Sequence, residues 1–522
     1  MLCTFLENFN VLSCIKYTSL GGGKSGSNYL DPIKDSLSTF FTQFSLFVNK
    51  KFSSKTTFLI FIAIYTISLF SLLRENINYI DDVDRTALGY TGWIYFSRYS
   101  SEYLSQVLHA NSYLADISPI PQIIAIIELS LACLYLIKGI SGKREFTVWQ
   151  IAASLPLGLN PYFLECLSYK FDSPYMALSV LIAVVPLLFI KHAYLFFIFT
   201  VISINVICTS YQASLGILPM TVSFTLLSLY IKGESLRSVF KTGLIFASSF
   251  VVGFFIFKIL IMNPVQTYVS NSIAPLSELP SVFYEHMKNY YLNLVIPDSS
   301  KLWIKLTILV SITLTLFAVF NSKSNKILTL VFTLFTIFVA LILTYGFYAC
   351  LEQPLFTPRA LYGIGAVIAC IIVLAVSNKD LYIAKICSII FAWSFVVVAS
   401  AYGNAIVAQR NWEEFRIAEV IQDLTTIENN GQPFKYRTLG SAGHAPAIRN
   451  LNHVYPVIGR IVPVTFGDSG WMWNVEKFNR YYEIRNMTLD NSITDTGNPD
   501  LVKETMYHKV MVFKDKLLII LK

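Results

Sequence analysis

Residues 57–73 read TFLIFIAIYTISLFSLL, an apolar run long enough to enter a lipid bilayer. The chain continues at residues 79–85 with YIDDVDR, which brings three carboxylates and one guanidinium to the end of that run. The chain of 522 residues is 54% hydrophobic and 14% charged. A soluble protein has about 25% charged residues. The composition therefore predicts a polytopic membrane protein and excludes a soluble globular one.

Ten further apolar segments follow the first one, so the sequence predicts a polytopic α-helical fold with about eleven transmembrane helices. A transmembrane helix needs about 20 predominantly apolar residues, and each segment approaches that length. The predicted spans are 57–73, 119–137, 146–166, 174–190, 193–208, 213–231, 243–262, 302–320, 327–350, 360–376 and 386–402.

Lysine and arginine residues are concentrated in alternate loops between these spans. Basic residues occupy cytoplasmic loops more often than outer loops, so these loops and the N-terminal segment 1–56 are predicted to be cytoplasmic. The loops 74–118 and 263–301 then lie on the opposite, outer side of the membrane, together with the tail 405–522. The basic residues that set this orientation are Lys50, Lys51, Lys55, Lys138, Lys143, Arg144, Lys191, Lys232, Arg237, Lys241, Lys323, Lys326, Lys379 and Lys385.

The tail after the last span has the length and composition of a small domain. Its first part, residues 411–427, has a helical pattern. Shorter runs at 434–439, 461–466 and 509–520 have the composition of β-strands. These patterns divide the chain into a cytoplasmic segment 1–56, a membrane domain 57–404 and an α/β domain 405–522 on the outer side, which is the periplasmic side if the membrane is a bacterial inner membrane.

Four polar or Pro/Gly-rich pieces interrupt the apolar segments, and together they resemble one known family. The pieces are DDVDR at 81–85, GYTGW at 89–93, DISPIPQ at 116–122, and LPLGLNPYFLE at 155–165 continued by SYKFDS at 168–173. The chain resembles the Gtr-type serotype-converting O-antigen glucosyltransferases in these pieces. The resemblance implies a GT-C-like fold in the bacterial inner membrane. It also implies a polyprenyl-phosphate glucose donor, a periplasmic O-antigen acceptor and inversion at the anomeric carbon.

An inverting transfer needs one base that takes the proton of the acceptor hydroxyl as it attacks. Asp81 and Asp82 are the candidates, because a carboxylate at the membrane boundary reaches both a lipid-held donor and a soluble acceptor. Adjacent residues point in different directions, so one is predicted to be the base and the other a positioning residue. The alternative is a solvated acidic cap on a loop.

The leaving phosphate carries negative charge, and an arginine binds phosphate oxygens in pairs. Arg359, just before a span on the outer side, is the first candidate for this role. Lys170 and Arg85 are the other candidates for binding the donor phosphate. Interfacial anchoring to lipid headgroups is the alternative for Arg359 and Lys170.

Further residues are candidates for binding the sugars. Glu165 and Asp172 flank Lys170, and they either hold sugar hydroxyls or form ion pairs with it. Tyr211 and Gln212 form a short outer loop that suits stacking on a sugar, with plain interface placement as the alternative. The tail carries aromatic and basic residues that suit binding of the acceptor glycan, so we expect it to help choose the acceptor. The alternative is that they form the core and a basic face of a small domain. These residues are His444, Arg449, Arg460, Trp471, Trp473 and Arg480.

No cofactor is expected, and the sequence shows no metal-ligand spacing. A divalent metal is chemically conceivable at the carboxylates, but too few oxygen ligands converge to support it. The expected partners are the lipid-linked donor, the O-antigen acceptor and membrane lipid, with no nucleic acid. Three alternatives remain: an aminoarabinose or mannose transferase that uses a lipid-linked sugar, a non-catalytic scaffold, and a lipid-linked glycan flippase built around Glu128 and Lys258.

Overall fold

The computed structural model describes residues 48–264, 272–377, 381–427, 434–468, 478, 482, 487–494 and 497–522. Among these residues, eight helices are long and apolar enough to cross a membrane, so the chain is a polytopic helical membrane protein. They are Ser54–Leu73, Ile120–Ser141, Ala193–Ser210, Gln212–Ile231, Leu236–Ile261, Lys301–Asn321, Lys326–Leu343 and Tyr382–Leu424. A count of eleven is not supported, because three predicted spans form shorter apolar helices, Val148–Leu159, Ser173–Phe189 and Gly363–Val376.

The predicted single span 146–166 is wrong, because the chain forms three short helices there: Val148–Ser154, Pro156–Leu159 and Pro161–Ser168. A proline lacks an N–H and disfavours the α conformation in the residue before it. Asn160 accordingly has ψ 148°, and its side-chain oxygen accepts a hydrogen bond from the N–H of Phe163 at 3.1 Å. The last short helix carries Glu165 and leads directly to Lys170.

A close approach between helices stabilises this broken segment. A Cβ atom on Gly365 would collide with the Asn160 side chain and with the carbonyl oxygen of Pro156. Glycine therefore allows the helix Gly363–Val376 to lie directly against the break. Nearly every residue of that helix is buried, so it forms part of the centre of the bundle.

The basic loops meet at one end of the bundle, which we call the basic face. There the strands Phe52–Ser53 and Glu145–Phe146 pair in antiparallel fashion. Lys143 donates to the carbonyl oxygen of Ser377 at 3.2 Å, and Lys232 donates to that of Ser141 at 2.9 Å. The first contact joins positions 234 apart in the chain and the second joins positions 91 apart.

The long polar loops meet at the opposite end of the bundle. The N–H of Asn263 donates to Ser97 Oγ at 2.9 Å, which joins the loop after Leu236–Ile261 to the first long loop. Gly89 ends the first helix of that loop with φ +67°, a value that L side chains rarely adopt. The short helices at this end are Asp82–Leu88, Trp93–Phe96, Tyr99–His109, Leu279–Lys288, Asn289–Val295, Ile296–Asp298, Gly346–Cys350 and Pro358–Ala360.

The tail forms a sheet domain that is continuous with the last long helix. The C-terminal part of Tyr382–Leu424 packs on the sheet through Ile417 and Val420. The helix predicted at 411–427 and the strands predicted at 434–439 and 509–520 are confirmed. The strand predicted at 461–466 is wrong, because the helix Pro456–Ile461 ends there and an irregular loop follows. The strand order is Thr488–Leu489, Lys435–Leu439, Lys516–Leu521, His508–Phe513 and Leu501–Glu504.

The sheet is mixed, and its register is fixed by the central strands. Lys435–Leu439 pairs in parallel with both of its neighbours, whereas the last three strands are antiparallel to one another. Three further short helices follow the first strand of the tail and contact the membrane domain. They are Pro446–Ile448, Arg449–Val454 and Pro456–Ile461.

Candidate active site

Eight charged side chains come together at the end of the bundle that carries the long polar loops. We call this group the charged cluster; it consists of Asp81, Asp82, Arg85, Asp116, Glu165, Lys170, Asp172 and Arg359. The helix Asp82–Leu88 supplies the first members. Its acids lie in the first turn, where a negative charge is favoured by the helix dipole.

Asp82 is fully buried beneath the cluster. One carboxylate oxygen accepts hydrogen bonds from the N–H groups of Tyr79 at 3.0 Å and Lys170 at 3.1 Å. Burial and the nearby Asp172 raise the pKa of Asp82 to about 8. This side chain therefore ties the first long loop to the segment that follows Pro161–Ser168, and it is not accessible to a substrate.

Asp81, in contrast, is exposed. No hydrogen bond from the described residues holds its carboxylate in place. Desolvation by the protein packed around it raises the pKa of Asp81, while the positive charges of Arg85 and Arg359 oppose that rise. The structure thus separates the two adjacent aspartates: Asp81 is exposed and within the electrostatic influence of Arg85 and Arg359, and Asp82 lies in the interior.

Arg85 and Asp172 form a buried ion pair below Asp81. The indole N–H of Trp93 donates to the other oxygen of Asp172 at 2.5 Å. The Arg85 guanidinium also lies over the Trp93 ring, 4.3 Å from its centroid. Asp172 therefore has a charged or polar donor on each of its oxygens, and Arg85 has a fixed position.

Lys170 is only 2% exposed and binds two side chains of the first long loop. Its ammonium donates to Asp116 at 2.6 Å and to Asn76 at 2.9 Å. Desolvation raises the pKa of Asp116, but the hydrogen bonds from Lys170, Asn76 and the N–H of Ser118 outweigh it and lower the pKa to about 2. Lys170 is therefore engaged by a carboxylate in this structure.

Arg359 pairs with Glu165 beside Asp81. The N–H of Arg359 donates to Glu165 Oε2 at 2.5 Å, and its guanidinium donates to Glu165 Oε1 at 3.3 Å. The same guanidinium donates to the hydroxyl of Tyr169 at 2.7 Å. Arg359 keeps partial exposure, with 19% of its side chain accessible.

Tyr211 and Gln212 occupy different positions relative to the cluster. Tyr211 is buried, and its hydroxyl donates to the carbonyl oxygen of Arg359 at 3.0 Å. Gln212 instead accepts a hydrogen bond from Arg98 at 3.1 Å, outside the cluster. The structure therefore brings Tyr211 to the other candidates and leaves Gln212 beside them.

The tail contacts this end of the bundle through the helix Pro456–Ile461. Arg460 pairs with Asp298 at 2.6 Å, and Tyr162 donates to the same carboxylate at 2.9 Å. The hydroxyl of Tyr79 donates to the carbonyl oxygen of Ile461 at 2.9 Å. The tail thus forms one wall of the region around the charged cluster.

The other tail candidates are remote from these contacts or cannot be placed. His444 contacts Asn452 at 3.1 Å within the tail, and Arg449 is exposed. The remaining three candidates lie outside the described residues; they are Trp471, Trp473 and Arg480.

Sequence reasoning missed several members of the site. Asp116 and Trp93 lay in motif pieces that supported the resemblance, but neither was given a role. Tyr169 lay in one of those pieces as well and had no role, whereas Asn76 and Arg98 lay outside all of them. A usable signal was the polarity of the pieces themselves, because a polar side chain beside a membrane span costs free energy unless it has a partner.

No group of three or more His, Cys, Asp or Glu side chains suitable for a metal ion occurs in the part of the chain that the structure describes. Cations or backbone N–H groups face Asp82, Asp116, Glu165 and Asp172. The oxygens of these four carboxyl groups therefore form ion pairs and hydrogen bonds that hold the surrounding loops in place.

The family comparison covers this cluster. A family model described as "Glucosyl transferase GtrII" matches residues 69–370, which is more than half of the chain and includes all eight cluster residues. A protein of Salmonella phage P22, described as "Uncharacterized 55.3 kDa protein in gtrB 5'region", is 24% identical over 491 residues. That alignment covers 84% of this chain and 94% of the phage protein. No solved structure matches the chain.

Proposed function

Because the chain belongs to the GtrII glucosyl transferase family, we propose that it moves glucose from polyprenyl-phosphate glucose to a sugar hydroxyl of O-antigen. The transfer inverts the anomeric carbon, takes place in a GT-C-like fold, and occurs at the periplasmic face of the bacterial inner membrane. One observation carries this proposal: the carboxylate of Asp81 is exposed at the end of the membrane helices, within the electrostatic influence of the Arg359 guanidinium.

Asp81 is the base in this reaction. Its carboxylate takes the proton of the acceptor hydroxyl while the hydroxyl oxygen bonds to the anomeric carbon of glucose. The bond between that carbon and the phosphate oxygen breaks, and the electron pair leaves with the lipid-linked phosphate. The raised pKa of Asp81 suits this role, because a carboxyl with a higher pKa is a stronger proton acceptor.

Arg359 is the cation that contacts the donor beside the reacting bond. A guanidinium at this position stabilises the negative charge that develops on the departing phosphate. Arg85 and Lys170 act as positioning residues, because Asp172 and Asp116 already engage them.

Glu165, Asp172 and Tyr211 shape the sugar site. Glu165 and Tyr211 both hold the segment of Arg359 in place, through its guanidinium, N–H and carbonyl groups. Asp172 fixes Arg85 beneath Asp81. These three residues therefore affect the sugars indirectly, because they fix the positions of Arg359 and Arg85.

The periplasmic assignment is supported by the distribution of lysine and arginine. The basic face gathers the loops that the positive-inside rule places in the cytoplasm, and the charged cluster lies at the other end of the bundle. A periplasmic site suits an acceptor glycan that is assembled outside the cytoplasm.

The purified full-length protein is tested with polyprenyl-phosphate glucose and a panel of O-antigen acceptors. The expected result is a mass gain of one hexose on an acceptor. Asp81→Asn should lower the rate by about 10³-fold, since general-base catalysis contributes about 10²–10⁴-fold. Asp84→Asn removes the same charge from the same stretch and should retain most of the rate.

A protein that glycosylates no acceptor, but moves the lipid-linked sugar across vesicle membranes, would instead be a flippase. Equal rates for Asp81→Asn and the unaltered protein would remove Asp81 as the base. The stereochemistry of the product, read by nuclear magnetic resonance, tests inversion separately.

A further inference from the structure

A separate apolar cavity of about 170 Å³ lies beside the charged cluster. Most of its lining is hydrocarbon, aromatic or thiol surface, from Cys208, Phe254, Phe257, Tyr348, Leu351 and Leu355. A cavity with such a lining favours an apolar ligand, because burial of apolar surface is worth about 25 cal/mol per Å².

The cavity lies where the bundle faces lipid. The helix Leu236–Ile261, which supplies part of the lining, is mostly exposed along its apolar length. Ile259 and Leu260 at its end are 69% and 77% exposed. This end of the helix joins the first long loop through Asn263 and Ser97, so the cavity and the charged cluster lie at the same end of the bundle.

Two cations line this otherwise apolar cavity, Arg98 and Lys258. The guanidinium of Arg98 lies over the ring of Tyr211, 4.9 Å from the centroid, and donates to Gln212 at 3.1 Å. Among the described residues no carboxylate pairs with Arg98, whereas Asp172, Asp116 and Glu165 pair with the cations of the charged cluster. Lys258 is exposed at the rim.

Tyr211 connects the cavity to the charged cluster. Its ring contacts Arg98, and its hydroxyl donates to the carbonyl oxygen of Arg359. An anion bound by Arg98 would therefore be separated from the segment of Arg359 by the side chain of Tyr211. Apolar walls, two cations and an opening toward lipid together match a lipid that carries a single phosphate on a long hydrocarbon chain.

We propose that this cavity binds the isoprenoid phosphate of the donor. The isoprenoid chain lies against the apolar lining, and Arg98 and Lys258 bind the phosphate, with Gln212 orienting Arg98. The inference rests on the proposed function, because it places the lipid part of the donor whose sugar lies beside Asp81. It extends the set of phosphate-binding residues beyond Arg359.

The test measures binding of undecaprenyl phosphate to the purified full-length protein by native mass spectrometry, without any acceptor. The double variant Arg98→Gln/Lys258→Gln should bind the lipid at least ~10-fold more weakly, a change of about 1.4 kcal/mol. Lys241→Gln, on the same helix at the basic face, should bind like the unaltered protein. Thermal unfolding midpoints verify that each variant is folded.

Two competitors identify what the cavity recognises. Phosphatidylglycerol and inorganic phosphate should each bind at least ~10-fold more weakly than undecaprenyl phosphate. Equal binding of phosphatidylglycerol would make the cavity a general lipid site, and equal binding of inorganic phosphate would make it an anion site without a chain groove. Either result overturns the proposal, as does unchanged lipid binding by the double variant.

Asp81→Asn separates this inference from the proposed function. It should bind undecaprenyl phosphate normally and fail to transfer glucose. Specific lipid binding that the double variant loses, in a protein that transfers no sugar, would overturn the proposed function alone. Glucose transfer by a double variant whose lipid binding is unchanged would overturn the cavity assignment alone.

Discussion

The two ends of the helix bundle both carry many cations, but their cations have different partners. At the basic face, Lys232 donates to the carbonyl oxygens of Ile140 and Ser141, at 3.1 and 2.9 Å. These carbonyls end a helix and have no partner within it. In the charged cluster, Arg85 and Lys170 pair with carboxylates instead, and both are buried.

This difference indicates what each end is for. A lysine at a helix end is favoured by the helix dipole, and the exposed Lys232 therefore adds modest stability. Buried ion pairs cost desolvation free energy, and apolar replacements are often as stable. A contribution to stability therefore explains the cations of the basic face. The buried ion pairs of the charged cluster need a further explanation, and the proposed transfer reaction provides one.

The largest expected effect is on the charged cluster. Arg85→Met should lower the free energy of unfolding by about 3–5 kcal/mol, because it leaves the buried carboxylate of Asp172 without its cation. Denaturation in mixed detergent micelles measures the change.

The matched control removes both charges of that pair. Arg85→Met/Asp172→Met should recover most of the lost stability, since no unpaired charge remains. We expect it to remain inactive in glucose transfer. A stable double variant with full activity would contradict the functional interpretation of the cluster.

The pH dependence of stability should come next in size. The pKa of Asp82 is about 8 in the folded protein, above its usual value of 3.8. Ionisation is therefore easier in the unfolded chain, so stability is greatest below about pH 4 and is lost as the pH rises through about 8. Between pH 6 and 8 the free energy of unfolding should fall by about 2 kcal/mol.

Asp82→Asn should flatten this slope in unfolding experiments at a series of pH values. Asp116 has the opposite effect on the pH dependence of stability, because its pKa is lowered to about 2 in the folded protein. Its contribution to the free energy of unfolding is present above about pH 4 and is lost as the pH falls through about 2. Asp116→Asn should therefore lower stability at every pH above about 4 and remove the acid-side slope of the profile. A steep alkaline slope in Asp82→Asn would contradict the burial of this carboxyl.

A smaller loss of stability is expected where the tail contacts the membrane domain. Arg460→Gln removes the cation from Asp298 but leaves the hydrogen bond from Tyr162, so we expect a loss of about 1–2 kcal/mol. Protease cleavage of the tail should accelerate in this variant. Arg449→Gln, an exposed cation of the same tail, should leave the cleavage rate unchanged.

The smallest effect is expected at the basic face. Lys232→Met should lower the free energy of unfolding by less than about 1 kcal/mol and leave the rate of glucose transfer unchanged. The measurement is the same micelle denaturation, combined with the transfer assay. A loss as large as that of Arg85→Met would abolish the contrast between the two ends.

The sequence predicted the membrane domain well where apolar runs were uninterrupted. It failed at 146–166, because the apolar character continues through Pro156 and Pro161 while the backbone turns. Hydropathy measures composition and contains no information on backbone hydrogen bonds. The strand predicted at 461–466 failed for a related reason, since a short apolar run fits a helix end equally well.

The structure brings most of the candidate residues together, but their separate positions within the cluster could be read only from the fold. Asp81 and Asp82 are equivalent in sequence, and only their packing separates an exposed carboxylate from a buried one. The pair of Lys170 with Asp116 joins residues 54 positions apart, and no local pattern predicts such a contact. The role of Arg98 likewise depends on a cavity formed by several helices.

The helix Tyr382–Leu424 is unbroken over 43 residues, from the membrane bundle to the sheet of the tail. At 1.5 Å per residue it is a stiff lever about 65 Å long. A tilt of about 10°, within the range by which membrane helices adapt to bilayers of different thickness, would shift its far end sideways by about 11 Å. Lipid composition would thereby adjust how the sheet is placed over the bundle, so the position of the tail relative to the charged cluster would vary with the thickness of the host membrane.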